Sequence, residues 1–278
     1  MNPGARSIDR RRYARATGVR RVVVIVGVML VGRATPALAQ DTPPKLPTAE
    51  KVLDKTIEAQ GGKEAFEKIK SRVTKGTIEV TAGPQSMKGT IERYEAAPDL
   101  RYTEIKLGPT VAKSGTDGFV HWDINQSNAK ILEGDEKEMA IRRARFNALL
   151  YWRDLYDKVE CVGKEKIDDR LCVKVVLTPR VGTPITAYYD WKNGLPSATE
   201  EVRKTAEGDL LVREQFEDYR EVDGVKLPFR VRRTNTAGGQ TTTIVYTFQT
   251  IEHNTVPPER FDLPEQIKKL RGTAGGTP

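Results

Sequence analysis

The chain has 278 residues, with 46 Lys+Arg against 38 Asp+Glu and a formal net charge of +8. Residues 1–39 alone hold eight arginines and one aspartate, so the remainder carries 38 basic and 37 acidic side chains. That near-balance removes any bulk electrostatic case for nucleic acid or an anionic membrane surface as the partner.

The first element in chain order is an export signal. "RRRYARATGVRR" supplies a basic region, Val22 to Gly32 an apolar run of eleven residues, and Ala37-Leu38-Ala39 a small-x-small site. The run is shorter than the roughly 20 residues a membrane-crossing helix needs. Residues 1–39 are therefore expected to be a cleaved signal peptide rather than an uncleaved anchor, with residues 40–47 a flexible leader. Arg10-Arg11-Arg12-Tyr13-Ala14-Arg15 also resembles a twin-arginine signal, so the route, Sec or twin-arginine, stays open.

A helical pair comes next. Thr48 is placed to cap, and Val52, Leu53, Ile57 and Phe66 form an apolar stripe that Gly61-Gly62 interrupts. From Ser71 the pattern changes to period two. Short runs such as "SRVTKGTIEVT", "SMKGTIERYEA" and "LRYTEIKL" alternate with turn residues, which predicts an antiparallel meander. A helix interrupts it over 137–156, with Ile141, Ala144, Ala148, Trp152 and Leu155 at helical spacing. Strands then resume from "KVECVG" to "QTTTIVYTFQTI", for about eleven in all. The fold class is α+β and mainly β, with one domain over 48–266 and a disordered tail over 267–278.

Within "VKLPFRVRR", Val225, Leu227, Phe229 and Val231 share one face while Lys226, Pro228, Arg230 and Arg232 face water. Asp223-Gly224 marks a tight hairpin before it. Glu217 and Glu221 of the preceding strand can then meet basic residues across the hairpin, so the dense charge here reads as solvated rather than catalytic.

No constellation for chemistry stands out. The two histidines, His121 and His253, have no neighbour at metal-ligand spacing. G-x-S-x-G, G-x-G-x-x-G and G-K-[ST] are absent. The expectation is no catalytic residue, no metal and no cofactor. For Cys161 and Cys172 an oxidising compartment favours a disulfide. A two-residue turn at Asp168-Asp169 would set them on one face but four residues out of register, and a four-residue loop would set them opposite each other. A structural disulfide is expected.

Three stretches, "EAQGGKEAFEKIKSRVTKGTIE", "FNALLYWRDLYDKVECVGKEKIDDRLCVKVVLTP" and "DYREVDGVKLPFRVR", together resemble the LolA-like, outer-membrane lipoprotein-sorting family of exported bacterial proteins. The resemblance covers about residues 48 to 262, and "DYREVDGVKLPFR" is its most specific part. It implies a curved antiparallel sheet forming an incomplete, half β-barrel with helices on its concave side. It also implies periplasmic binding or carriage of a lipid-like ligand, including lipoprotein acyl chains, with no catalysis. Tyr102, Trp122, Phe216, Phe229, Tyr246 and Phe248 fall on apolar strand faces, and Trp152 on the covering helix. Singly each reads as core; as a set they outline an apolar pocket. The rival expectation is a non-catalytic envelope interaction module that fills its own core and binds a protein partner through the sheet surface or an edge strand.

Overall fold

The computed structural model describes residues 46–126, 128–205 and 208–274. The expected signal peptide and most of the leader lie outside the described residues. Helix α1 (Ala49–Ala59) starts where Thr48 accepts a hydrogen bond from the Lys51 amide at 3.4 Å. Gly61 and Gly62, both at positive φ, end it and lead into α2 (Lys63–Lys68).

Six strands follow: β1 (Ser71–Ala82), β2 (Gln85–Ala96), β3 (Leu100–Leu107), β4 (Thr110–Thr116), β5 (His121–Asn125) and β6 (Asn128–Ile131). Helix α3 (Gly134–Ala144), a 3-10 turn (Ala148–Tyr151) and the short α4 (Trp152–Leu155) then intervene. Seven more strands complete the sheet: β7 (Lys158–Ile167), β8 (Arg170–Thr178), β9 (Ile185–Asp190), β10 (Pro196–Thr205), β11 (Gly208–Val222), β12 (Val225–Ala237) and β13 (Gln240–His253). Helix α5 (Glu265–Ala274) ends the described chain.

All thirteen strands form one antiparallel sheet in the order β6-β5-β4-β3-β2-β1-β13-β12-β11-β10-β9-β8-β7. Each neighbour is the next strand in sequence except β1 and β13, whose pairing joins the two halves of the meander. β6 and β7 are the open edges, so the sheet is not a closed barrel. It is nevertheless strongly curved. Arg101 of β3 donates to the Arg143 carbonyl of α3 at 2.7 Å, while the Arg143 guanidinium lies 3.9 Å from Glu201 of β10. β3 and β10 stand six places apart, about 29 Å on a flat sheet at about 4.8 Å per strand, too far for one residue to reach both.

The count of thirteen exceeds the expected eleven. The strand that no alternating run announces is β4, whose "TVAKSGT" has a single large apolar residue and lies half-buried between its neighbours. The hairpin at Asp223-Gly224 is as expected: both residues have positive φ, and Val222 pairs with Val225. Val225, Leu227 and Phe229 are buried on one face, and Glu217 pairs with Arg230 at 3.1 Å on the other.

The continuous helix over 137–156 is corrected. The chain leaves the helix at Arg145, and Asn147 adopts a left-handed conformation with φ 51°. The break inserts Phe146 into a cluster with Phe66, Ile69, Val225 and Leu227, and the Phe146 amide donates to the Pro98 carbonyl at 3.0 Å. Asn147 is held by donating to the Phe66 carbonyl and accepting from Arg72. Burial of one large aromatic outweighs continuation of the helix.

The disulfide is corrected too. Both cysteines are free thiols. The hairpin uses the two-residue turn, with Ile167 paired to Arg170, and a bulge between Cys161 and Gly163 shifts the register further. Cys161 thus lies opposite Val175 and packs toward α1, whereas Cys172 points to the other face, among Ile167, Tyr188 and Ala198. Finally, the boundary expected at residue 266 falls inside α5, where Ile267 is fully buried against Trp122 and Ile124.

Candidate functional site

Strand parity decides what faces the interior of the curve. On β8 and β9, Val173, Val175, Leu177, Ala187 and Tyr189 pack with Val52, Leu53 and Ile57 of α1 and with Trp152 of α4. Between this apolar wall and strands β1 to β3 opposite lies a cavity of about 580 Å³. Its apolar lining includes Leu53, Trp152, Leu177, Ile185, Tyr246 and Phe248. A second cavity of about 790 Å³ lies beside α3, and Arg101, Arg143, Glu201 and Arg203 line both.

Four of the residues expected at an apolar pocket, Trp152, Phe216, Tyr246 and Phe248, line the 580 Å³ cavity. Phe229 is buried in the same cluster as Tyr246 and Phe248, beneath the Arg220 guanidinium at 4.5 Å. Tyr102 and Trp122 are elsewhere. They stand 6.1 Å apart on the opposite face of the sheet, in clusters completed by Phe261, Leu263 and Ile267 of the C-terminal segment. Trp122 also borders the larger cavity. The parity error is simple. Arg101 and Thr103 face inward on β3, so Tyr102 faces outward, and His121 and Asp123 do the same to Trp122 on β5.

The cavity's charge has no counterpart among the residues expected at an apolar pocket. Seven arginines line it against three glutamates. Arg72, Arg93 and Arg101 come from β1, β2 and β3 around Glu95; Arg142, Arg143 and Arg203 surround Glu201; Arg233 pairs with Glu214. The signal was available in the alternation. Arg93 and Glu95 continue the inward parity of Ile91, and Arg233 continues that of Phe229 and Val231.

Burial and crowding set the electrostatics. Burial alone would raise the Glu95 carboxyl, but Arg101, Arg93 and Arg72 outweigh it and hold it below the usual range. Glu214 follows the same balance against Arg233. Burial, with repulsion from Arg93, pushes the Arg101 guanidinium down to about 10. Burial also lowers Arg72 and Arg143. These directions describe cations held in a poorly solvated place with too few carboxylates near them. Two donors at this cavity, the Arg93 Nε–H and the Trp152 Nε1–H, are buried with no hydrogen-bond partner among the described residues.

Other chemistry is sparse. His121 and Asp123 line the larger cavity; burial lowers the first and raises the second. Among the described residues no group of three or more His, Cys, Asp and Glu is arranged to hold a metal. No described helix is long and apolar enough to cross a membrane.

No protein-family model matches the chain, and no curated protein matches it in sequence. Solved structures do. A DUF1329 family protein from Desulfovibrio piger superposes with a TM-score of 0.54 at 12% identity, covering 77% of this chain and 97% of that one. A LolA superfamily protein from Nitrosomonas europaea superposes with a TM-score of 0.52 at 16% identity, covering 78% and 99%. In fold, this chain is similar to both of these proteins.

Proposed function

We propose that this protein is a non-catalytic carrier for a lipid-like ligand, such as the acyl chains of a lipoprotein, in the cell envelope of a bacterium. The observation that carries the reading is the 580 Å³ cavity between α1, α4 and the inner face of the sheet. Its size falls in the range of small-molecule sites, about 300–1,000 Å³. A self-filled core was the discriminating feature of the rival reading, an interaction module, and the open space beside Trp152 speaks against it. Leu53 of α1 and Trp152 of α4 line this cavity, which supports these helices as the cover that a half-barrel carrier needs. The likeness in fold to a LolA superfamily protein supports the same reading. The export signal expected in residues 1–39 supports a periplasmic place of action.

A neutral apolar dye that fluoresces only out of water, such as N-phenylnaphthylamine, tests it. The protein lacking residues 1–39 is expected to bind the dye saturably. Ala148 lines the cavity at the start of the 3-10 turn, so Ala148→Trp is expected to weaken uptake at least tenfold while leaving the circular dichroism unchanged. Uptake by Ala148→Trp equal to that of the unaltered protein would place the dye elsewhere and count against the reading.

A further inference from the structure

The cavity that an apolar ligand would enter is not apolar throughout. Three arginines from adjacent strands, Arg72, Arg93 and Arg101, line one side, and the wall that includes Leu177, Ile185 and Tyr189 lines the other. Seven arginines against three glutamates leave a surplus of four positive charges around this space, although the chain without residues 1–39 is nearly neutral. The surplus is therefore local.

Like charges crowded into a partly buried space are costly unless something pairs with them. The carboxylates present do not complete the pairing. Glu95 meets Arg101 only at 4.0 Å, and Glu201 is shared among Arg142 at 3.7 Å, Arg143 at 3.9 Å and Arg203 at 2.8 Å. Arg72 spends its donors on neutral acceptors, His253 Nε2 at 3.2 Å and Asn147 Oδ1 at 3.0 Å. The Nε–H of Arg93 has no acceptor, and neither has the indole N–H of Trp152 across the cavity, although Trp152 is only 5% exposed. The site thus offers a surplus of positive charge and two unmatched donors, with one unmatched acceptor at Glu201 Oε1, next to an apolar wall. Guanidinium groups bind phosphate and carboxylate through paired N–H bonds, which a neutral headgroup cannot match.

We infer that the carried ligand is an anionic amphiphile, whose phosphate or carboxylate headgroup sits against Arg72, Arg93 and Arg101 while its chain lies along Leu53, Trp152 and Leu177. This rests on the carrier reading above and specifies its ligand. It also explains a feature that an acyl-chain site alone does not require, namely arginines on the inward parity of three successive strands.

The test uses one chain length and three heads: dodecyl phosphate, dodecylphosphocholine and dodecyl maltoside, each below its micelle concentration, with binding followed by calorimetry. Dodecyl phosphate is expected to bind at least tenfold more tightly than dodecyl maltoside. Inorganic phosphate alone is expected to bind at least a hundredfold more weakly than dodecyl phosphate. Arg93→Gln is expected to reduce the preference for phosphate over maltoside to about threefold or less. Equal affinity for the three heads overturns the anionic inference and leaves the carrier reading standing. Inorganic phosphate binding as tightly as dodecyl phosphate overturns the amphiphile in favour of a free anion. No binding of any of the three overturns both readings. The comparison of heads on the unaltered protein holds even where Arg93→Gln fails to fold.

Discussion

Trp122→Ala is expected to destabilise the protein by about 3–5 kcal/mol, the range for removing a buried tryptophan from a packed core, while leaving ligand uptake largely intact. Trp122 is 2% exposed. Its ring lies over Gly115, beside Tyr102, in the cluster that holds Ile267 of α5. Removing it opens a void between the sheet and the C-terminal helix, far along the sheet from the apolar wall at β8 and β9. The measurement is a denaturant melt with hydrogen exchange on the α5 amides, which are expected to lose protection first. A change below about 1 kcal/mol combined with lost uptake would put Trp122 at the ligand site and contradict its packing on the outer face against α5.

The second large effect comes from a backbone position. Gly61 has φ +127°, and a Cβ placed there would lie 2.0 Å from the Gly224 carbonyl oxygen. The contact joins α1 to the hairpin that begins β12, where the Lys226 amide donates to the Gln60 carbonyl at 2.8 Å and the Gln60 side chain returns a bond to the Lys226 carbonyl at 3.0 Å. Gly61→Ala meets two costs: a backbone conformation that L-residues rarely adopt, about 1–3 kcal/mol, and displacement of packed backbone, about 1–3 kcal/mol more. Gly62 is the control. Its φ is also positive at +82°, but its nearest neighbour is the flexible Glu58 carboxylate at 3.4 Å. Gly62→Ala is expected to cost only the backbone part. Equal melting midpoints for the two variants would contradict the close approach of α1 to the hairpin.

These two residues also show what was legible in the sequence. The Gly61-Gly62 break, the Thr48 cap, the Asp223-Gly224 turn and most strands follow from local rules of capping, turn chemistry and period-two alternation. Local rules could not say which face of an alternating strand turns inward. On β3 and β5 the large aromatics Tyr102 and Trp122 turn outward because the C-terminal segment covers them, and nothing near those residues in sequence announces that cover. The same ambiguity hid the arginines, since charged residues on a strand ordinarily face water. The break at Phe146 and the bulge after Cys161 are tertiary in origin: each serves packing against residues distant in sequence. β4 escaped notice because its small and polar residues carry almost no alternation.

Carriage of an amphiphile in the cavity beneath α1 and α4 has a direct signature in mass. Native mass spectrometry of the protein purified from its own periplasm, followed by solvent extraction, tests it most directly. Expected is a complex heavier than the polypeptide, from which solvent releases a species carrying both an acyl chain and a negative charge. A mass equal to the polypeptide alone, with an empty extract, would contradict it.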